Sequence, residues 1–214
     1  MVLRESAKAP VFVVGLTGSI GMGKTETGKL FARLGIPILD SDAVVRALYQ
    51  RGGEAVGPIA QAFPGAVTDG QVSRAALAAL LEGDEGAFQR LETIVHPMVR
   101  KARGDFIRAA ENRGDPVVIL DIPLLFETGA EKSVDAVVVV SAPPEIQQQR
   151  VLARPGMTAE KLRMLRARQI PDAEKRAKAD FIIETDKGLE QAFLEVRRVA
   201  AALLQRARAR KPHA

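Results

Sequence analysis

The residues of this chain best suited to chemistry form the stretch Gly18-Ser19-Ile20-Gly21-Met22-Gly23-Lys24-Thr25. Glycine, four residues, then Gly-Lys-Thr is the spacing of a loop that cradles phosphate. Gly18, Gly21 and Gly23 admit torsions that a Cβ would forbid, so successive N–H groups can turn toward one anion. Lys24 can reach the β- and γ-phosphates of a nucleotide, and the Thr25 hydroxyl suits Mg²⁺. Asp40-Ser41-Asp42 supplies two carboxylates of the kind that can take a proton from an acceptor hydroxyl. Asp121, which closes an apolar run, is a second candidate to hold Mg²⁺ or its water. Arg150, Arg154, Arg163, Arg166, Arg168 and Lys175 gather positive charge late in the chain. Charge of that sign can neutralise what spreads during phosphoryl transfer.

The elements that must position these residues follow from hydrophobic patterning. Val11-Phe12-Val13-Val14-Gly15-Leu16 leads into the loop as a strand, and helix 23–34 leaves it, stopped by Gly35. The helix N-terminus adds unpaired N–H groups and partial positive charge. Ile36-Pro37-Ile38-Leu39 reads as a second strand ending at Asp40. In open α/β sheets ligands bind beyond the carboxyl ends of strands, so both aspartates are expected to face the phosphate loop, although each could also cap a helix. Residues 43–113 read as helical throughout, with breaks at Gly52-Gly53, Pro64-Gly65, Asp69-Gly70 and Gly83-Asp84 and no strand. By residue type alone, Arg74 and His96 in this stretch suit a surface arginine and a structural histidine.

Val117-Val118-Ile119-Leu120 and Ala136-Val137-Val138-Val139-Val140 have the continuous apolar character of strands buried on both faces. A basic helical pair covers Glu145 to Lys178, broken at Pro155-Gly156-Met157-Thr158, with Thr158 as the second N-cap. Phe181-Ile182-Ile183 is a fifth strand, and a last helix runs from Leu189 to about Ala209. Residues 1–10 read as a loose leader, and Arg206, Arg208, Arg210 and Lys211 as a basic, solvent-facing end. The expected fold is α/β, a P-loop NTPase-type parallel five-stranded sheet flanked by helices, with a helical insertion and a helical lid. Residues 11–42, 114–145 and 179–210 would form the nucleotide-binding core, 43–113 the acceptor subdomain and 146–178 the lid.

Composition narrows the classes. The 214 residues are 47% hydrophobic and 27% charged, ordinary for a soluble globular chain. A net charge of +5 favours anionic ligands, but aromatics make up 4%, with one tyrosine and no tryptophan, so a base-stacking platform is poorly supplied. No cysteine is present, which removes disulfides and thiolate metal sites and fits a reducing cytoplasm. No apolar run reaches membrane-spanning length, and the Asn-Lys-x-Asp signature of guanine recognition is absent. Compactness, paired carboxylates and a late arginine cluster favour a small-molecule kinase over a motor ATPase or a nucleic-acid-binding protein.

From Val11 to about Gly188 the chain resembles the dephospho-coenzyme A kinases. The resemblance is carried by Gly15 through Thr25, Leu39-Asp40-Ser41-Asp42, Asp69-Gly70-Gln71-Val72-Ser73-Arg74 and His96-Pro97. It continues with Asp121-Ile122-Pro123-Leu124-Leu125-Phe126-Glu127, Gln169, and Lys175 through Asp180. It implies ATP-dependent phosphorylation of the ribose 3′-hydroxyl of dephospho-CoA, with ATP and Mg²⁺ as cofactors and neither nucleic acid nor membrane as partner. Another P-loop metabolite kinase, such as a nucleoside monophosphate kinase, is the alternative. Asp42 would then be the base and Asp40 its support, with Thr17, Arg74 and His96 at the acceptor. Gly18, Ser19, Ile20, Gly21, Met22, Gly23, Lys24, Thr25 and Glu26 would meet the nucleotide, helped by Arg150, Arg154 and Arg168 of the lid. The family's Asn-Gly-type loop after the last strand is replaced by Glu184-Thr185-Asp186-Lys187-Gly188, which leaves mostly backbone to meet the base.

Overall fold

A computed structural model describes residues 10–210. Residues 1–9 of the leader read over 1–10, and the terminal Lys211, lie outside them. The described residues form two compact units, one within 10–38 and 109–210, the other of residues 39–108.

The first unit starts with β1 (Phe12–Thr17), all six residues of which are buried. Helix α1 (Lys24–Arg33) follows. Gly35, at φ 78°, turns the chain left-handed and sends its N–H to the carbonyl of Ala32 at 2.9 Å, the stop expected from sequence. Next comes β2 (Ile38–Asp40), and then the elements of the second unit: α2 (Ser41–Tyr49), α3 (Val56–Ala62), β3 (Val67–Thr68), β4 (Gln71–Val72), α4 (Arg74–Leu81) and α5 (Glu85–Arg113). Strands β5 (Val117–Asp121) and β6 (Ala136–Ser141) return to the sheet, joined by a turn that includes a short 3₁₀ segment, Ala130–Ser133. Helices α6 (Pro144–Leu152), α7 (Ala159–Ala167) and α8 (Asp172–Ala177), strand β7 (Phe181–Glu184) and helix α9 (Gly188–Ala209) complete the chain.

The sheet order is β2-β5-β1-β6-β7, with β1 parallel to both β5 and β6, and β6 parallel to β7. Register places Leu16 opposite Asp121 and Thr17 opposite Val139, so the phosphate loop and the Asp121 carboxylate leave the same, carboxyl end of the sheet. Val14, Leu16, Val138 and Val140 pack with Leu30 and Phe31 of α1 and with Val196, Val199 and Leu203 of α9. Each such side chain contributes about 1.5–3 kcal/mol by leaving water. Helix α7 starts where sequence placed it, with Thr158 Oγ1 accepting from the Lys161 N–H at 3.2 Å.

The second unit has its own core, built from Leu48, Ile59, Phe63, Val72, Leu77 and Val95. Side chains cap the starts of α2 and α4. Asp40 accepts from the Ala43 N–H at 3.0 Å to start α2, and Ser73 from the Ala76 N–H at 3.3 Å to start α4. One expectation fails here. The stretch read as helical throughout contains the antiparallel hairpin β3-β4, with Val67 opposite Val72 and Thr68 opposite Gln71. Asp69 and Gly70 form its two-residue turn at φ 52° and 74°, the positive pair that favours Asp-Gly in tight hairpins. Two-residue strands are too short to show alternation, so the turn registered only as a break. Helix α5 runs 29 residues with Pro97 inside it. Proline has no N–H to give the Thr93 carbonyl; the Thr93 hydroxyl donates to the Gln89 carbonyl at 2.9 Å. Among the described residues, no helix is long and apolar enough to cross a membrane.

Candidate active site

The phosphate loop leaves β1 at the fully buried Thr17, whose hydroxyl donates to the Pro123 carbonyl at 3.1 Å. That bond ties the loop's root to the segment after β5. A Cβ on Gly18 would lie 2.6 Å from the Val140 carbonyl oxygen, so β6 leaves room only for glycine. Gly21 combines φ 79° with a Cβ position 2.5 Å from Val151 Cγ2. Both close approaches let the loop wind tightly ahead of α1, where its N–H groups can converge on phosphate.

Neighbouring side chains brace the loop. The Ile20 N–H donates to Gln169 Oε1 at 3.1 Å, and the Ile20 carbonyl accepts from Gln147 Nε2 at 2.8 Å. Thr185, after β7, donates its hydroxyl to the Met22 carbonyl at 2.8 Å. Arg150 grips the same threonine twice, with Nη1 on its hydroxyl at 2.8 Å and Nη2 on its carbonyl at 2.6 Å.

Lys24 and Asp121 form an ion pair at the carboxyl end of the sheet's strands, with side chains 15% and 9% exposed. Thr25, in the first turn of α1, is exposed. Glu26 is exposed too and pairs with Lys29 at 2.7 Å, a surface contact of small worth. Beside the loop, a cleft of about 300 Å³ is lined by Gly21, Gly23, Glu26, Thr27, Leu30, Arg150, Arg154, Thr185, Gly188, Leu189 and Ala192. Its apolar wall and two guanidinium groups suit a planar base with anionic groups attached. Arg150 and Arg154 thus share one cleft. Arg168, which ends α7, is exposed and is not among the residues lining it.

Glycines, converging N–H groups, the α1 N-terminus and Lys24 fit a triphosphate. A divalent cation could draw on the Thr25 hydroxyl and on the Asp121 carboxylate that also meets Lys24, both hard oxygen donors. No group of three acidic or histidine side chains that could hold a metal occurs among the described residues. Such a cation would therefore take the rest of its shell from phosphate and water, as Mg²⁺ commonly does.

In the second unit, Asp40 has a double task. Beyond capping α2, it receives Arg46 Nη2 at 3.0 Å. Burial pushes its carboxyl up, but the Ala43 N–H and the Arg46 charge outweigh this and hold it below the usual aspartate value. Asp42 is exposed in the first turn of the same helix. Arg74 is the exposed first residue of α4. Burial raises the pKa of the Tyr49 hydroxyl, and the Arg74 charge partly offsets that. His96 is exposed on α5, 3.7 Å from Glu92.

Several braces have no signal in sequence. Gln147 and Thr185 are unremarkable residue types in a helix and a loop. Glu127 and Lys175 belong to separate motifs, yet they meet at 2.7 Å with the lysine side chain fully buried and the glutamate side chain 13% exposed. Glu127 also accepts from the Ile170 N–H at 2.9 Å. Burial raises the Glu127 carboxyl, but these two partners together bring it below the usual value.

Comparison with known proteins agrees with this chemistry. The family model for dephospho-CoA kinase matches residues 12–191. A dephospho-CoA kinase of Rhodopseudomonas palustris is 52% identical over 200 residues, covering 92% of this chain and 100% of that one. One from Mesorhizobium japonicum is 54% identical over 186 residues, covering 87% and 93%. Among solved structures, TT1252 from Thermus thermophilus superposes with a TM-score of 0.79 at 34% identity, over 90% of this chain and 97% of that one. A shikimate kinase from Acinetobacter baumannii, at 21% identity and a TM-score of 0.52, shares the fold over 94% of this chain and 97% of its own. The chain belongs to the dephospho-CoA kinase family.

Proposed function

We propose that this chain transfers the γ-phosphoryl group of ATP to the ribose 3′-hydroxyl of dephospho-CoA, giving coenzyme A and ADP, the last step of coenzyme A biosynthesis. One observation carries the reading: a braced phosphate loop, with Lys24 paired to Asp121, in a chain half identical to dephospho-CoA kinases. The loop from Gly18 to Thr25 holds the β- and γ-phosphates through its N–H groups. Lys24, kept in place by Asp121 before nucleotide arrives, is positioned to turn its charge onto the transferring group. Thr25 and Asp121 are the residues that would hold Mg²⁺, which draws off charge from the phosphate oxygens when bound. The cleft beside Arg150 and Arg154 takes the base and sugar, with Glu26 at its rim.

Asp42 accepts the proton of the attacking hydroxyl. Asp40 supports it, because the cap and the Arg46 contact fix the first turn of α2 in which Asp42 sits. Arg74 and His96 contact the acceptor, Thr17 is buried beneath the loop and anchors its root on Pro123, and Arg168 joins the lid arginines. The functional parts are the core (11–42, 114–145, 179–210), the acceptor subdomain (43–113) and the lid (146–178). Within them the reaction needs no nucleic acid and no membrane, and the cytoplasm is its setting. The deciding experiment is coupled ADP release with dephospho-CoA, adenosine, shikimate and nucleoside monophosphates offered separately. Dephospho-CoA is expected to lead by a wide margin; an equal or better rate with another acceptor would overturn the assignment.

A further inference from the structure

Ile20 sits in the middle of the phosphate loop, and side chains from outside the loop hold both of its main-chain groups. The N–H is taken by Gln169 and the carbonyl by Gln147. In a trans peptide, C=O and N–H point opposite ways. Holding the Ile20 carbonyl on Gln147 therefore directs the Gly21 N–H to the other side of the chain. Holding the Ile20 N–H on Gln169 fixes the preceding plane, whose Ser19 carbonyl accepts from the Met22 N–H at 3.2 Å. Two glutamines thus set two peptide planes of the loop that meets phosphate.

Gln147 is anchored in α6 and 5% exposed. Gln169 lies beyond the end of α7, and its register comes from the next residue. The Ile170 N–H donates to Glu127 Oε1 at 2.9 Å, and the same oxygen meets Lys175 Nζ at 2.7 Å. A pair this buried adds little net stability over apolar packing, so its value here is positional. It joins the return of the lid segment to the loop after β5. We propose that Gln169 is a positioning residue of the nucleotide site, held in register by the Glu127–Lys175 pair, and that it keeps the phosphate loop in the orientation ATP requires. The gain is pre-organisation: the loop does not have to reorder when the triphosphate arrives.

The inference rests on the loop being the triphosphate site, which calorimetric titration of the wild-type protein with ATP tests by itself. The test of the inference is steady-state kinetics, varying ATP and dephospho-CoA separately, on Gln169→Ala, on Glu127→Ala/Lys175→Met, and on the triple variant, with melting temperatures alongside. Loss of one neutral hydrogen bond predicts that Gln169→Ala raises KM for ATP about 3–10-fold. KM for dephospho-CoA and the melting temperature should hardly move. The double variant should raise KM for ATP similarly, and the triple variant should be no worse than the double. The proposal fails if ATP binds the wild type but Gln169→Ala leaves its KM unchanged. It also fails if the two effects multiply, or if the double variant lowers the melting temperature without touching KM for ATP. Wild-type protein that does not bind ATP would instead sink the nucleotide-site reading itself.

Discussion

The two units use their polar side chains in different ways. Around the phosphate loop several polar groups are already engaged: Thr17 on Pro123, Lys24 on Asp121, Thr185 on Met22, Arg150 on Thr185. In residues 39–108, Asp40 is engaged as a cap, but Asp42, Arg74 and His96 are exposed. The proposed donor side is thus braced by the protein's own side chains, whereas the proposed acceptor residues stand exposed. Removing Lys24 or Thr185 from the first unit should therefore disturb structure and nucleotide binding together, whereas Gln169→Ala touches nucleotide binding alone. Mutations at exposed residues of the second should change kinetics and leave the fold intact.

The sharpest test is Asp42→Asn. If Asp42 is the base, turnover falls roughly 10²–10⁴-fold, with ATP affinity and melting temperature unchanged. Wild-type turnover would remove it from that role. Lys24→Met is next, with a loss of about 10²–10³ in kcat, the usual cost of removing a charge stabiliser. It also leaves the largely buried Asp121 without its lysine, so the melting temperature should drop too; a rate loss with unchanged stability would blur the contrast between the units. Thr185→Val strips the Met22 carbonyl and Arg150 of a partner and should cost about 1–3 kcal/mol of stability in chemical denaturation. Ser73→Ala, a plain helix cap in the second unit, should cost about 0.5–2 kcal/mol and leave KM for ATP alone.

The smallest expected effect concerns pH. Glu127 has a lowered pKa in the folded protein. Its contribution is therefore complete above the unfolded value, about 4.3, and is lost as pH falls through the folded value. Acid unfolding followed by circular dichroism should show a shallower slope below about pH 4.3 for Glu127→Gln than for wild type. Equal slopes would mean that the pair does not carry the linkage.

The sheet was readable because parallel strands covered on both faces become continuous apolar runs, and all five expected strands appear. The phosphate loop was readable because its geometry needs glycines at fixed offsets. The β3-β4 hairpin went unread since strands of two residues carry no period. The braces were hidden for another reason: Gln147, Gln169, Glu127 and Lys175 meet through the tertiary fold, and side-chain type alone cannot pair residues so far apart in sequence. Arg150 was identified by its charge, yet its observed partner is an uncharged threonine.

The place of residues 39–108 inside the first unit also has a consequence for synthesis. Strand β1 is made early, but its sheet neighbours β5 and β6 begin only at Val117 and Ala136, about 100 and 120 residues later. At roughly 5–20 residues per second on a ribosome, β1 waits on the order of 5–20 s for β5. The intervening unit, with its own apolar core, can be complete by then. The nascent chain would thus finish its guest before its host can close, and a slow or destabilised guest would prolong exposure of an apolar strand.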